Sequence, residues 1–156
     1  MQRYIFWLAL VIIVLGIFKS CKAQAESRNW SGIVIHHSAT KGGNAEVFRI
    51  YHKEAKGWDD IGYHFVITRD GVVEDGRSLS KVGAHAKGRN ATHIGICLVG
   101  EDEFTGKQIY TLKRLLVYLC TIHKIHSIER HHKDCPGGGI DIENLAEGVL
   151  NEDNRI

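Results

Sequence analysis

The sequence predicts a single α/β domain, a central mixed β-sheet flanked by helices. Three observations lead there. Short apolar, β-rich runs at 33–35, 63–68 and 94–99 are separated by amphipathic stretches at 45–56 and 108–123. Asp70-Gly71 joins two β-rich runs, the signature of an antiparallel hairpin. The 156 residues suit one domain once an N-terminal apolar segment is set apart.

That segment, residues 1–25, reads as a signal peptide or an N-terminal membrane anchor. Arg3 supplies a basic start, Tyr4 to Phe18 is apolar, and Ala23-Gln24-Ala25 fits the small-x-small cleavage pattern. The apolar run is short for a span, which needs about 20 residues, and no polar face interrupts it as in a core helix. Lys19 and Lys22 follow it, where positive charge opposes translocation. Export to the periplasm or the exterior is expected, by a cleaved signal or a retained anchor through residues 4–18. Residues 26–156 then form the working domain.

Within that domain, polar residues 28–32 lead into a strand at 33–37, and Ser38 to Asn44 is a loop. Ala45 to Lys56 carries Val47, Ile50 and Tyr51 at helical spacing, and Gly57 stops the helix. Tyr63 to Thr68 and Val72 to Glu74 are the arms of the hairpin. Ser78 to Asn90 is loop-like. Ile94 to Val99 reads as a buried central strand. Gln108 to His123 repeats Leu112, Leu115, Leu116 and Leu119, a helix face packed on a sheet. Ile125 to Glu129 is a further short strand, Pro136 and Gly137 to Gly139 make a turn, and Asp141 to Leu150 closes the domain as a helix.

Composition excludes little beyond nucleic acid. The net charge is +2, with 44% hydrophobic and 24% charged residues, and no basic run interleaved with aromatics is present. Of four cysteines, Cys21, Cys97, Cys120 and Cys135, three remain if residues 1–25 are removed. An odd count in an exported chain leaves one outside any disulfide. Cys97 and Cys120 lie in apolar runs and are expected to be small buried residues.

Cys135 has a chemical role in view. It closes the cluster His131-His132-Lys133-Asp134-Cys135, and His36 ends the apolar run Ile33-Val34-Ile35 about 95 residues earlier. Imidazole nitrogen and thiolate sulfur are the ligands zinc prefers, and hydrolytic sites use three of them plus water. His131 and His132 both offer the second imidazole. A three-residue loop between His131 and Cys135 is a common chelate spacing. His52, His64, His93, His123 and His126 are expected at the surface or in packing, and Trp58 as a buttress.

The string Ile33-Val34-Ile35-His36-His37-Ser38-Ala39-Thr40 resembles the first signature of the zinc N-acetylmuramoyl-L-alanine amidases, which include small phage amidases and the peptidoglycan recognition proteins. The match continues through Tyr51-His52-Lys53-Glu54, Gly57-Trp58, Ile61-Gly62-Tyr63-His64-Phe65 and Arg69-Asp70-Gly71. It resumes in Val82-Gly83-Ala84-His85-Ala86-Lys87-Gly88, Asn90 and Ile94 to Gly100, and closes at Cys135-Pro136. It spans residues 33 to about 145, in order.

The resemblance implies a mixed sheet flanked by helices, with zinc in a surface groove. It implies hydrolysis, in peptidoglycan or muropeptides, of the amide between the lactyl group of N-acetylmuramic acid and L-alanine. A monomer is the default. Carried over by motif, His36, His131 and Cys135 are the zinc ligands. Tyr63 matches a tyrosine beside the attacking water, and Lys133 matches the catalytic lysine of phage-type members. His85 and Asn90 sit in a loop that either lines the substrate groove or holds its own shape. A lysine near the reacting carbonyl would stabilise its developing charge by roughly 3–4 kcal/mol. One departure from the family is the loop between the second histidine and the cysteine, which is shorter here. Another is Cys97, where some branches carry a catalytic glutamate. The alternative function, a recognition protein that binds peptidoglycan without cutting it, goes with loss of the cysteine, and Cys135 is present.

Overall fold

The computed structural model describes residues 28–153. The apolar run at 4–18 and its cleavage pattern lie outside the described residues. Among those described, no helix is long and apolar enough to cross a membrane.

Five strands form one sheet: β1 (Gly32–His37), β2 (Phe65–Ile67), β3 (Val73–Asp75), β4 (His93–Leu98) and β5 (Ser127–Arg130). Their order is β3-β2-β4-β1-β5. β1 runs parallel to both β4 and β5, and β2 runs parallel to β4. Only the β2–β3 pair is antiparallel, so the sheet is mixed as expected. The hairpin turns through residues 68–72, closed by Thr68 N–H to the Val72 carbonyl at 3.0 Å. β2 is shorter than the sequence run. Tyr63 and His64 precede it, although their carbonyls still accept bonds from Arg77 and Gly76.

Successive side chains of a strand point to opposite faces, and here the two faces differ in kind. One face carries Ile33 and Ile35 of β1, Ile94, Ile96 and Leu98 of β4, and Ile128 of β5. It packs on helices α2 (Gly106–Ile122) and α3 (Ile142–Asp153) through Leu112, Leu116, Leu119, Ile142 and Leu145. Each fully buried aliphatic side chain of this kind stabilises by roughly 1.5–3 kcal/mol. The alternate positions are Val34 and His36 of β1 and Gly95 and Cys97 of β4. Cys97 packs with Ala45 and Phe48 of α1 (Ala45–Lys56). Cys97 and Cys120 are both buried, as expected.

The helix over 45–56 has the boundaries the sequence suggests, and Gly57 caps it at φ 69°. Its buried face differs. Val47, Ile50 and Tyr51 are exposed, whereas Ala45, Phe48 and His52 are buried. The anchoring explains the rotation. Asn44 caps the helix by accepting from Val47 N–H, and Glu74 accepts from Ala45 N–H at 2.7 Å. Arg49 bonds Asp60 at 2.9 Å on the side facing the body.

α2 begins in a capping box. Thr105 Oγ1 accepts from the Gln108 backbone, and Gln108 Oε1 accepts from Thr105 N–H. The same Gln108 side chain, fully buried, donates to the Ile67 and Val99 carbonyls at 3.2 and 2.9 Å. One amide thus ties the helix start to the ends of β2 and β4. Replacing it by leucine removes three bonds and strands buried partners, which costs about 1–3 kcal/mol. Gln108→Leu is expected to lower the unfolding free energy by that amount, read as a lower urea midpoint at unchanged m, with native helix content retained. A midpoint unchanged from wild type would contradict the bridging role.

Candidate active site

β1 and β5 are parallel neighbours, so both end on the same edge of the sheet. His36 sits at that end of β1. His131 directly follows β5 and prolongs the pairing through its N–H to the Ile35 carbonyl at 3.1 Å. Ligands of open α/β sheets gather outside the carboxyl ends of strands for this reason. The rings of His36 and His131 lie 4.5 Å apart between centroids.

The short segment after His131 brings the thiol back. His132 and Cys135 exchange two backbone bonds, of 3.2 and 2.9 Å, which closes residues 132–135 into a tight turn. Cys135 Sγ accepts the His37 N–H at 3.4 Å. One ligand atom each from His36, His131 and Cys135 falls within 4.8 Å of the others. His132 is exposed, and its Nδ1 accepts from Asp134 N–H inside the turn. Among the described residues, the cluster takes in His131 and not His132.

Burial sets the protonation of these groups. His36 is held well below the usual histidine range, first by burial and then by His85, His131 and Arg89. His131 is lowered by burial and by His132. Both rings are therefore neutral and keep a lone pair. Burial raises the Cys135 thiol, while the His37 N–H and Arg130 pull the other way.

The remaining expected residues fall into two groups. Tyr63 stands at the cluster, its ring 5.2 Å from His36. Burial first, then the neighbouring Cys97 and Cys135, pushes its phenol far above the ordinary value, so it stays protonated. His85 also reaches the cluster: its Nδ1 lies 3.0 Å from His36 Nε2. Asn90 faces inward, its Oδ1 accepting from His85 N–H and Ala86 N–H at 2.7 and 2.8 Å. Lys133 stands apart. Its side chain is 89% exposed, its amine is 4.0 Å from Asp134, and it makes no hydrogen bond or ion pair to the three clustered residues.

One positioning group escaped the sequence reading. Arg89 bonds Glu129 at 2.6 Å and the His131 carbonyl at 2.7 Å, holding the end of β5 to the 83–92 loop. An arginine inside a glycine-bounded loop gives no signal of that partner. Trp58 lies against His52, with ring centroids 4.7 Å apart, as a buttress should.

Residues 26–138 match the family model described as N-acetylmuramoyl-L-alanine amidase. The chain belongs to this amidase family. It is similar to the endolysin of Klebsiella phage KP32, with 44% identity over 122 residues that cover 68% of this chain and 80% of the endolysin. Among solved structures, the N-acetylmuramoyl-L-alanine amidase LysC from Clostridium intestinale URNW superposes with a TM-score of 0.74 at 33% identity. That match covers 80% of this chain and 87% of LysC. Peptidoglycan recognition protein-LE, solved with tracheal cytotoxin, a monomeric diaminopimelic acid-type peptidoglycan, reaches a TM-score of 0.65 at 25% identity. It covers 80% of this chain and 81% of that protein. The fold and family expected from the sequence both hold, and the chain is an N-acetylmuramoyl-L-alanine amidase.

The amidase surrounds its clustered residues with neutral imidazoles, and this has a cost in acid. Burial is the main cause that pushes His64 and His85 down to about 4. The unfolded chain binds these protons from near pH 6.5, so the unfolded state holds more protons between the two values. Stability must then fall as pH drops from about 6.5 to about 4. For the buried His64 the loss across that window is on the order of 3 kcal/mol. Equilibrium unfolding of the metal-free chain is expected to show this decline, with a shallower slope in His64→Phe. Equal slopes in the two proteins would contradict the assignment.

Proposed function

We propose that this amidase cleaves the bond between N-acetylmuramic acid and L-alanine of peptidoglycan with a zinc ion held by His36, His131 and Cys135. The observation that carries the proposal is the convergence of those three ligand atoms within 4.8 Å. Ligands around one tetrahedral zinc stand about 3.5 Å apart, so small side-chain rotations bring the set to binding distance. Two neutral imidazoles and a thiolate are a zinc donor set, and a hydrolytic zinc centre would use those three together with water. The ligand held by the recognition-protein neighbour supports peptidoglycan as the substrate class.

When bound, zinc supplies a Lewis acid that acidifies water and polarises the scissile carbonyl. The chain's own residues do the rest. His36 and His131 present lone pairs because burial keeps them neutral. The His37 N–H on Cys135 Sγ favours the thiolate. Tyr63, held protonated, acts as a donor to the developing oxyanion and not as a base. Lys133, 89% exposed and with its amine 4.0 Å from Asp134, is proposed as the cation that meets the charge developing on the substrate. The domain works outside the cytoplasm as a monomer in this proposal, delivered by residues 1–25 as a cleaved signal or an anchor.

The test uses the full chain, zinc-loaded, on purified sacculi beside Cys135→Ser. One zinc per chain and new L-alanine N-termini are expected. Losing an outer-shell partner already costs about 10–100-fold in such sites, so loss of a ligand should cost more than about a hundredfold in turnover. Stoichiometric zinc without new L-alanine termini would point instead to a binding protein. Unimpaired turnover in Cys135→Ser would remove the third ligand from the proposal.

A further inference from the structure

We infer that His85 is a positioning residue: it fixes the tautomer and orientation of His36, so that His36 Nδ1 faces the metal position. This inference rests on the metal centre proposed above and assigns a role outside the three ligands.

A chain of hydrogen bonds runs from the His93 carbonyl through His85 to His36. His85 Nε2 lies 3.1 Å from the His93 carbonyl oxygen. A carbonyl only accepts, so Nε2 carries the proton of this ring. A neutral His85 therefore has a bare lone pair on Nδ1. That atom lies 3.0 Å from His36 Nε2, which must donate. A neutral imidazole has one N–H, so His36 Nδ1 is left with a lone pair. One backbone carbonyl on β4 thus dictates, through two rings, which nitrogen of His36 is available as a ligand. Histidine ligands of metals commonly have their second nitrogen anchored in this way.

The His85 ring is held in a slot made for it. A Cβ at Gly95, in the middle of β4, would meet the ring at 2.5 Å, and one at Gly83 would meet it at the same distance. The His64 ring closes another side, with centroids 5.7 Å apart and planes at 76°. Asn90 Oδ1 fixes the backbone beneath by accepting from both His85 N–H and Ala86 N–H. Glycine inside a strand marks close approach by another group, and here the approaching group is this imidazole. With both nitrogens engaged inside the protein, His85 faces His36 and the His93 carbonyl.

Two substitutions separate positioning from packing. In His85→Asn the side-chain oxygen replaces Nδ1 as acceptor for His36 but fills the slot poorly. In His85→Phe the slot is filled and the acceptor is gone. Zinc affinity of the full chain, read by competition with a chromophoric chelator, is expected to fall about 10–100-fold in His85→Phe and by only a few-fold in His85→Asn. Long-range proton–nitrogen NMR on the metal-free chain should find the His36 proton on Nε2 in wild type and His85→Asn, and shared between the nitrogens in His85→Phe. Gly95→Ala, which displaces the ring without touching its chemistry, should weaken zinc as His85→Phe does. The reverse order of the two His85 variants would show a packing role and overturn the inference. Zinc affinity unchanged in both, with KM raised, would show a substrate contact and overturn it as well. Wild type that binds no zinc would remove the metal centre itself, a failure told apart because it appears before any substitution is made.

Discussion

The parallel pairing of β1 with β5 is the constraint on which the site depends. It sets the ends of two strands side by side, and His36 and His131 are the residues at those ends. The ladder continues one bond beyond β5, from His131 N–H to the Ile35 carbonyl, so the second imidazole is placed by the sheet itself and not by a loop. Only the thiol comes from irregular chain, and the two-bond turn between His132 and Cys135 fixes it. Strand-borne groups are held with less freedom than loop-borne ones, which suits a centre whose ligands must converge.

The alternation of side chains across the sheet separates stability from chemistry. One face is isoleucine and leucine packed on α2 and α3. The opposite face presents His36, Cys97 and the bare backbone of Gly95. Neutral imidazoles replace hydrocarbon there, and burial keeps them neutral at the expense of acid stability. The arrangement leaves lone pairs for a cation and a protonated Tyr63 beside them. Loop 83–92 then serves both histidines, through His85 on His36 and Arg89 on the His131 carbonyl.

Much of this was legible in the sequence because strong periodic signals carried it. The buried runs, the Asp-Gly hairpin and the leucine repeat of α2 each correspond to an element. The motif His36…His131…Cys135 matches residues that the fold gathers. α1 was legible in extent but not in orientation. Its apolar residues Val47, Ile50 and Tyr51 are exposed, since the cap at Asn44 and the Arg49–Asp60 pair turn the Phe48 side inward. The choice between His131 and His132 was also beyond spacing alone, because it depends on which ring the 132–135 turn occupies. His85 and Arg89 each bond a backbone carbonyl besides a side chain, that of His93 and that of His131, and a carbonyl leaves no mark in a sequence. Gly95 was the one available hint, a residue without a side chain in an otherwise apolar strand.

The central claim is that one zinc ion is held by two imidazoles and one thiolate with a fourth position open. X-ray absorption at the zinc edge of the loaded chain tests it most directly. The account predicts one sulfur at about 2.3 Å and two imidazole nitrogens at about 2.0–2.1 Å, with one further oxygen. A first shell without sulfur, or one filled by four protein ligands, would contradict it.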